Sequence, residues 1–248
     1  MPLVLPLVFL PGLAIGSFLG VVAARVPLRR SVVRPGSACM NCEEPIRWYD
    51  NVPVLSYALL RGRCRHCGIR IPPRDLAIEL ATALLLVGCV LAFGLTLRAA
   101  AAGVACAALV VVTATDLERR IVPNWVVLPA AIAVLALDTI FHLSPVWAIG
   151  ALGAAGFLFL AALAYPGGMG MGDVKLALLI GALLGSITPV GVLLGLVFAL
   201  IPSVVLFARH GVGARRLAIP LAPFLAAGAV VALFAGHAIL HAYLGVLS

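Results

Sequence analysis

Two acidic residues of this chain stand where carboxylates are costly. Asp173 follows a glycine-rich loop and opens an apolar helix, in Gly170-Met171-Gly172-Asp173-Val174-Lys175. Asp116 closes another apolar segment, in Thr115-Asp116-Leu117-Glu118-Arg119-Arg120-Ile121-Val122-Pro123-Asn124. Only nine residues are acidic in all, and an ionisable group inside a membrane is functional by default. Two carboxyl groups that share a proton can hold one water between them. One takes a proton from the water while the other polarises a carbonyl, which is the chemistry of peptide hydrolysis. Two such acids at membrane boundaries imply an aspartyl protease that works on a membrane substrate. Pro166, Gly167, Gly168, Gly170 and Gly172 leave little side-chain bulk, so backbone there can approach an extended peptide closely. Lys175 has two readings, a partner for an acid or an anchor for lipid headgroups. Taken alone, Asp173 reads as an ordinary helix cap; the second acid and a cysteine-rich insert tip the balance.

Other polar residues carry less. Asp75 and Glu79 are expected at the start of the second helix, where the dipole favours acids. Asp138 falls near the opposite membrane face from the pair. Glu118 reads as a surface residue. His237 and His241 share a helix face but lack the glutamate of a metalloprotease motif.

The second cluster with chemical content is Cys39-Met40-Asn41-Cys42, then 21 residues, then Cys64-Arg65-His66-Cys67. A CxxC turn presents two thiolates to one ion, and two such turns complete a closed tetrahedral zinc site. Gly68 after the second pair suits the left-handed turn such a knuckle wants; Glu43 after the first departs from that ideal. Two disulfides are the competing reading. The insert is expected on the cytoplasmic side, where thiols stay reduced, and this favours metal. His66 is expected to point to solvent, and Asp50-Asn51-Val52-Pro53 reads as a turn joining the knuckles. Cys89 and Cys106, within apolar segments, read as packing.

These groups must be positioned by membrane helices. The chain has 248 residues, 64% hydrophobic and 10% charged, against about 25% charged in soluble domains. Apolar stretches run over Leu3–Ala24, Leu80–Leu97, Ala99–Thr115, Ile121–Leu137, Pro145–Tyr165, Leu176–Ala208 and Ile219–Tyr243. The sixth exceeds the roughly 20 residues of one crossing, and Gly185-Ser186-Ile187-Thr188-Pro189 divides it. The expected fold is therefore an all-α polytopic membrane protein of about eight transmembrane helices. Residues 1–25 would form the first helix, 26–75 a small cytoplasmic four-cysteine insert, and 76–248 a seven-helix protease domain. The first helix lacks a basic n-region and reads as a retained anchor, not a cleaved signal peptide. With eight spans, Arg25 to Arg74, Arg119-Arg120, Lys175 and Arg209 to Arg216 all fall on one side. Arg98 is the single exception among 17 basic residues. Positive charge marks that side as cytoplasmic, with both termini outside. The net charge of +8 then reports orientation in the bilayer, and a nucleic-acid partner is not expected.

In this order the motifs resemble those of the bacterial type IV prepilin peptidases, the leader peptidase/N-methyltransferases, over nearly the whole chain. Gly16-Ser17-Phe18-Leu19-Gly20-Val21 with Arg25-Val26-Pro27 is similar to the family's first-helix motif. Asn51-Val52-Pro53-Val54-Leu55-Ser56-Tyr57 and Leu60-Arg61-Gly62-Arg63-Cys64 lie between the cysteine pairs as they do in that family. Asp116 with Ile121–Asn124, and Gly170–Leu176, match its two catalytic signatures; Pro220-Leu221-Ala222-Pro223-Phe224-Leu225 is similar to its last-helix motif. The resemblance implies Asp116 and Asp173 as the proteolytic pair. It also implies prepilin or pseudopilin substrates cut after glycine at the cytoplasmic face of the inner membrane. It further implies S-adenosylmethionine-dependent methylation of the new N-terminus, with the four cysteines in the domain associated with that step. The chain departs from the pattern at Gly20 (usually asparagine), Leu221-Ala222 (commonly Phe-Gly), and Met40 and Glu43 (usually Pro and Gly). Competing expectations are a peptidase without methylation, an ion-coupled transporter, and a zinc-stabilised membrane module in which both acids are mere caps. A transporter predicts inverted repeats and acids near midplane; no repeat of useful length is visible. No glycine-rich dinucleotide fingerprint is present either.

Overall fold

The computed structural model describes residues 4–165, 169–211 and 219–247. Among them regular structure is helical: α1 (Val4–Arg25), α2 (Leu55–Leu59), α3 (Pro73–Phe93), α4 (Leu97–Arg119), α5 (Asn124–His142), α6 (Val146–Ala164), α7 (Met171–Leu184), α8 (Thr188–His210) and α9 (Ala222–Leu247). Among the described residues six stretches are long and apolar enough to cross a membrane. One of them, Met171–Arg209, contains both α7 and α8, and the shorter apolar α5 completes the eight expected helices. The chain is a multi-pass membrane protein. The expected break in the sixth stretch is a single 3-10 turn over Gly185–Ile187. Pro166, Gly167, Gly168 and the Arg215-Arg216 end of the last basic loop lie outside the described residues.

Two compact units divide the chain, Met1–Gly94 and Leu95–Ser248. In the first, α1 and α3 pack along small residues. A Cβ at Gly12 would meet the Ala83 Cα at 2.8 Å, and one at Gly16 the Glu79 Cα at 2.6 Å. Without lipid-excluding hydrophobic force inside a bilayer, such close backbone approach is what holds helices together. The insert joins these helices, and its only strand-like features are two isolated bridges, Ala38 to Pro45 and Arg63 to Arg70.

Glu79 corrects its sequence reading. It lies two turns inside α3, not in the first turn, which holds Asp75. Buried to 9% exposure, it accepts the Val54 N–H at 2.8 Å, with Ser17 in hydrogen-bonding reach. Val54 has φ +61°, which is costly for a β-branched residue. Glu79 thus ties the insert to the helix pair beneath it. An acid two turns into an apolar helix was the available signal.

In the second unit α7 is the centre. Its 14 residues span about 21 Å, too short for the hydrocarbon core, yet Leu176, Leu179, Ile180 and Leu183 are fully buried. α4, α5, α6, α8 and α9 all pack on it, so its ends meet protein, the condition under which a broken helix is tolerated at membrane depth. Gly181 and Gly150 let α7 and α6 touch through backbone. At the C-terminal end of α7, Arg98 donates to Asp138 Oδ2 at 2.5 Å and to the Leu183 carbonyl at 2.6 Å, and covers the Trp147 ring. The one basic residue that broke the charge pattern is therefore the half-buried partner of a buried acid.

Candidate active site and four-cysteine cluster

Asp116 and Asp173 occupy the end of this second unit opposite Arg98. α4 stops just past Asp116. Arg120 takes the left-handed conformation (φ +55°) and returns its N–H to the Asp116 carbonyl at 2.9 Å. The Asp116 side chain turns inward, 6% exposed, and Oδ2 accepts the Ala222 N–H from the start of α9 at 3.2 Å. Asp173 is the third residue of α7, its N–H bonded to the Gly170 carbonyl at 3.1 Å. α4 and α7 pack directly, with Asp116 in the last turn of the one and Asp173 in the first turn of the other.

The supporting glycines separate. Gly172 is required by packing: a Cβ there would sit 2.8 Å from the Val122 Cβ. Gly172 therefore lets the start of α7 press against the segment that follows Asp116. Gly170 has φ −80° and ψ 146°, open to any residue, and a Cβ would meet nothing nearer than Asp173 Oδ2 at 3.7 Å. Lys175 reaches toward α5. Its Nζ donates to Asn124 Oδ1, the first residue of α5, at 2.9 Å. This bond joins α5 to α7 beside the carboxyls, and no sequence signal linked the two residues. Asp138 lies with Arg98 at the other end, as its sequence position implied.

The four cysteines converge. Their sulfurs all lie within 4.8 Å of one another, and Cys39 Sγ to Cys67 Sγ is 3.7 Å. A tetrahedron with 2.3 Å metal–sulfur bonds has edges of about 3.8 Å, so the cluster fits a tetrahedral ion. All four are free thiols, and the two-disulfide reading is set aside by sulfurs that stand at non-bonded distance. The knuckles are built alike. Cys39 N–H bonds the Glu44 carbonyl and Glu43 N–H the Cys39 carbonyl. Cys64 N–H bonds the Ile69 carbonyl and Gly68 N–H the Cys64 carbonyl. Glu43 (φ +57°) takes the left-handed turn that Gly68 (φ +70°) takes in the other half. The N–H groups of Cys42 and Asn41 pull the Cys39 thiol down to about 6. At Cys42 the Glu44 N–H also pulls down, but desolvation and the other three thiols outweigh it and leave the group at about 12. Four thiols this close cannot all ionise without a cation among them. Arg65 chelates Asp50 through Nε and a terminal nitrogen at 2.6 to 3.1 Å, so the turn between the knuckles is fastened to the second knuckle. Arg65 holds the Asp50 carboxyl below the usual range.

Comparison with known proteins agrees with this division. Residues 10–93 match the Bacterial Peptidase A24 N-terminal domain, and residues 103–208 match the Type IV leader peptidase family. The prepilin leader peptidase/N-methyltransferase of Bacillus subtilis is 34% identical over 97% of this chain and 98% of its own length. The protein of that name from Myxococcus xanthus is 39% identical over 78% of this chain and 60% of its own. That from Burkholderia pseudomallei strain 1026b is 35% identical over 91% and 83%. No solved structure matches.

Proposed function

This chain belongs to the type IV leader peptidase family, and from that membership and the placement of Asp116 and Asp173 we propose that it is a membrane aspartyl endopeptidase. Its substrates are type IV prepilins or pseudopilins, whose short basic leader it removes after glycine at the cytoplasmic membrane face. The observation that supports this reading is the position of two carboxyls, 57 positions apart in sequence, at the same end of two packed helices. One carboxylate takes a proton from a shared water as its oxygen bonds the scissile carbonyl carbon. The protonated partner gives its proton to the carbonyl oxygen. As the resulting diol collapses, one of its hydroxyls returns a proton to the second carboxylate, the C–N bond breaks, and the leaving nitrogen takes up the proton held by the first carboxyl, which restores both acids. Arg119, Arg120 and Lys175 beside the two acids support a cytoplasmic location for this site. A transporter has no support from these relatives.

Zinc is the ion we assign to Cys39, Cys42, Cys64 and Cys67, because four thiolates at tetrahedral edge length are its closed structural set. Methylation of the new N-terminus follows cleavage; S-adenosylmethionine supplies the methyl group when bound. A cavity of about 350 Å³ in the first unit is of a size for such a molecule. Ser17, Arg25 and Asn51 supply polar groups there and Phe18 an aromatic face. The Gly20 departure does not arise from crowding, since a Cβ there would lie 3.7 Å from Asp75 Oδ1. The reading is tested by mass spectrometry of a membrane-embedded prepilin incubated with the purified protein, with and without the methyl donor. A cut after glycine is expected, followed by a gain of one methyl group; an intact prepilin contradicts the reading.

A further inference from the structure

α9 opens on Leu221-Ala222-Pro223-Phe224-Leu225. A helix start leaves its first N–H groups without intrahelical acceptors, and here each can be accounted for. Pro223 has none. Phe224 and Leu225 N–H both go to the Leu221 carbonyl at 3.1 Å. The Ala222 N–H remains; its residue is fully buried, and it donates to Asp116 Oδ2. The first turn of α9 thus delivers one donor, and that donor reaches an acid 106 residues away.

Electrostatics gives this contact a purpose. Asp116 sits in the last turn of α4, where the dipole of its own helix opposes negative charge. Asp173 sits in the first turn of α7, where the dipole favours it. The N-terminus of α9 supplies Asp116 with what α4 denies it, so both carboxyls face a helix N-terminus. We propose that the Ala222 backbone N–H positions the proteolytic pair: it anchors Asp116 Oδ2 and presents Oδ1 to the water shared with Asp173. Pro223 keeps the delivery singular by removing a neighbouring donor. This inference rests on Asp116 being one of the two proteolytic acids. Ala222 touches no substrate atom; it acts through Asp116.

The test replaces a single atom group. The full-length protein is made with lactic acid in place of Ala222, which exchanges the N–H for an ester oxygen, and is assayed in lipid nanodiscs on a prepilin peptide. An ester at Phe224 serves as control, because it breaks the turn bond to Leu221 and leaves the Asp116 contact alone. The ester at 222 is expected to lower kcat about 10-fold or more, the scale of one hydrogen bond to a charged group. KM should stay within about two-fold, since the lost interaction serves the chemical step, and the 224 ester should keep kcat. Ala222→Pro, which deletes the same N–H, should repeat the loss. A 222 ester with unchanged kcat, or a 224 ester that loses as much, overturns the proposal. Asp116→Asn in the same assay separates the two levels. If it still cleaves, the pair assignment fails; if it is inactive while the 222 ester is fully active, only the anchoring role fails.

Discussion

The two candidate sites are built on opposite principles. The four-cysteine cluster is local: two turns of one plan, each closed by its own backbone bonds, bring four sulfurs together over 29 residues. Its surroundings are largely exposed, and a short polar segment of this kind has little core of its own. The aspartate site is the reverse. Its groups come from the end of α4, the start of α7 and the start of α9, and only the packing of buried helices brings them together. The cluster's geometry should therefore depend on its ion, and the aspartate site's on its helices.

The largest expected effect falls on the second region. Asp116→Asn or Asp173→Asn should lower leader cleavage by about 10³-fold or more, the upper range of acid–base contributions, while zinc content stays unchanged. Purified variants that keep substantial cleavage would break the contrast at once. Next, Cys64→Ser should remove the zinc and expose the insert's backbone amides to hydrogen exchange, with α4 to α9 still protected. Methylation should fall more than cleavage does. Equal loss of protection in both units would show that the cluster is not an independent local structure.

How much of this was legible follows from the same contrast. The cysteine spacing announces its geometry because turn and ligand lie within four residues. The eight helices were visible as apolar stretches, although their ends shifted. Leu80–Leu97 became Pro73–Phe93, because polar residues at an interface sit on the same helix as its apolar body. The acids themselves were visible as costly charges. What surrounds them was not: the bonds from Ala222 to Asp116 and from Lys175 to Asn124 join positions 106 and 51 residues apart, and no local spacing encodes them. Arg98, an anomaly in the charge pattern, became intelligible only beside Asp138.

Smaller effects are expected at the two glycines and at Glu43. Gly172→Ala should cost about 1–3 kcal/mol of overpacking against Val122 and reduce cleavage, with Val122→Ala relieving part of the loss. Gly170→Ala should be milder, because its backbone and surroundings accept a side chain. Cleavage rates and thermal melts of the three variants decide this, and equal damage at both glycines would mean that packing does not distinguish them. Smallest is Glu43→Gly, which should stabilise the insert by about 1 kcal/mol by relieving a left-handed non-glycine residue. Zinc-chelator resistance of the variant reads this out, and lower resistance would contradict it.

The most direct measurement of the aspartate pair compares Asp116→Asn, Asp173→Asn and the double variant in one cleavage assay. Two carboxyls that work as one unit are strongly non-additive. The double variant should be no slower than either single one. Losses that multiply, with each single variant retaining an independent share of the activity, would contradict a shared water and a shared proton.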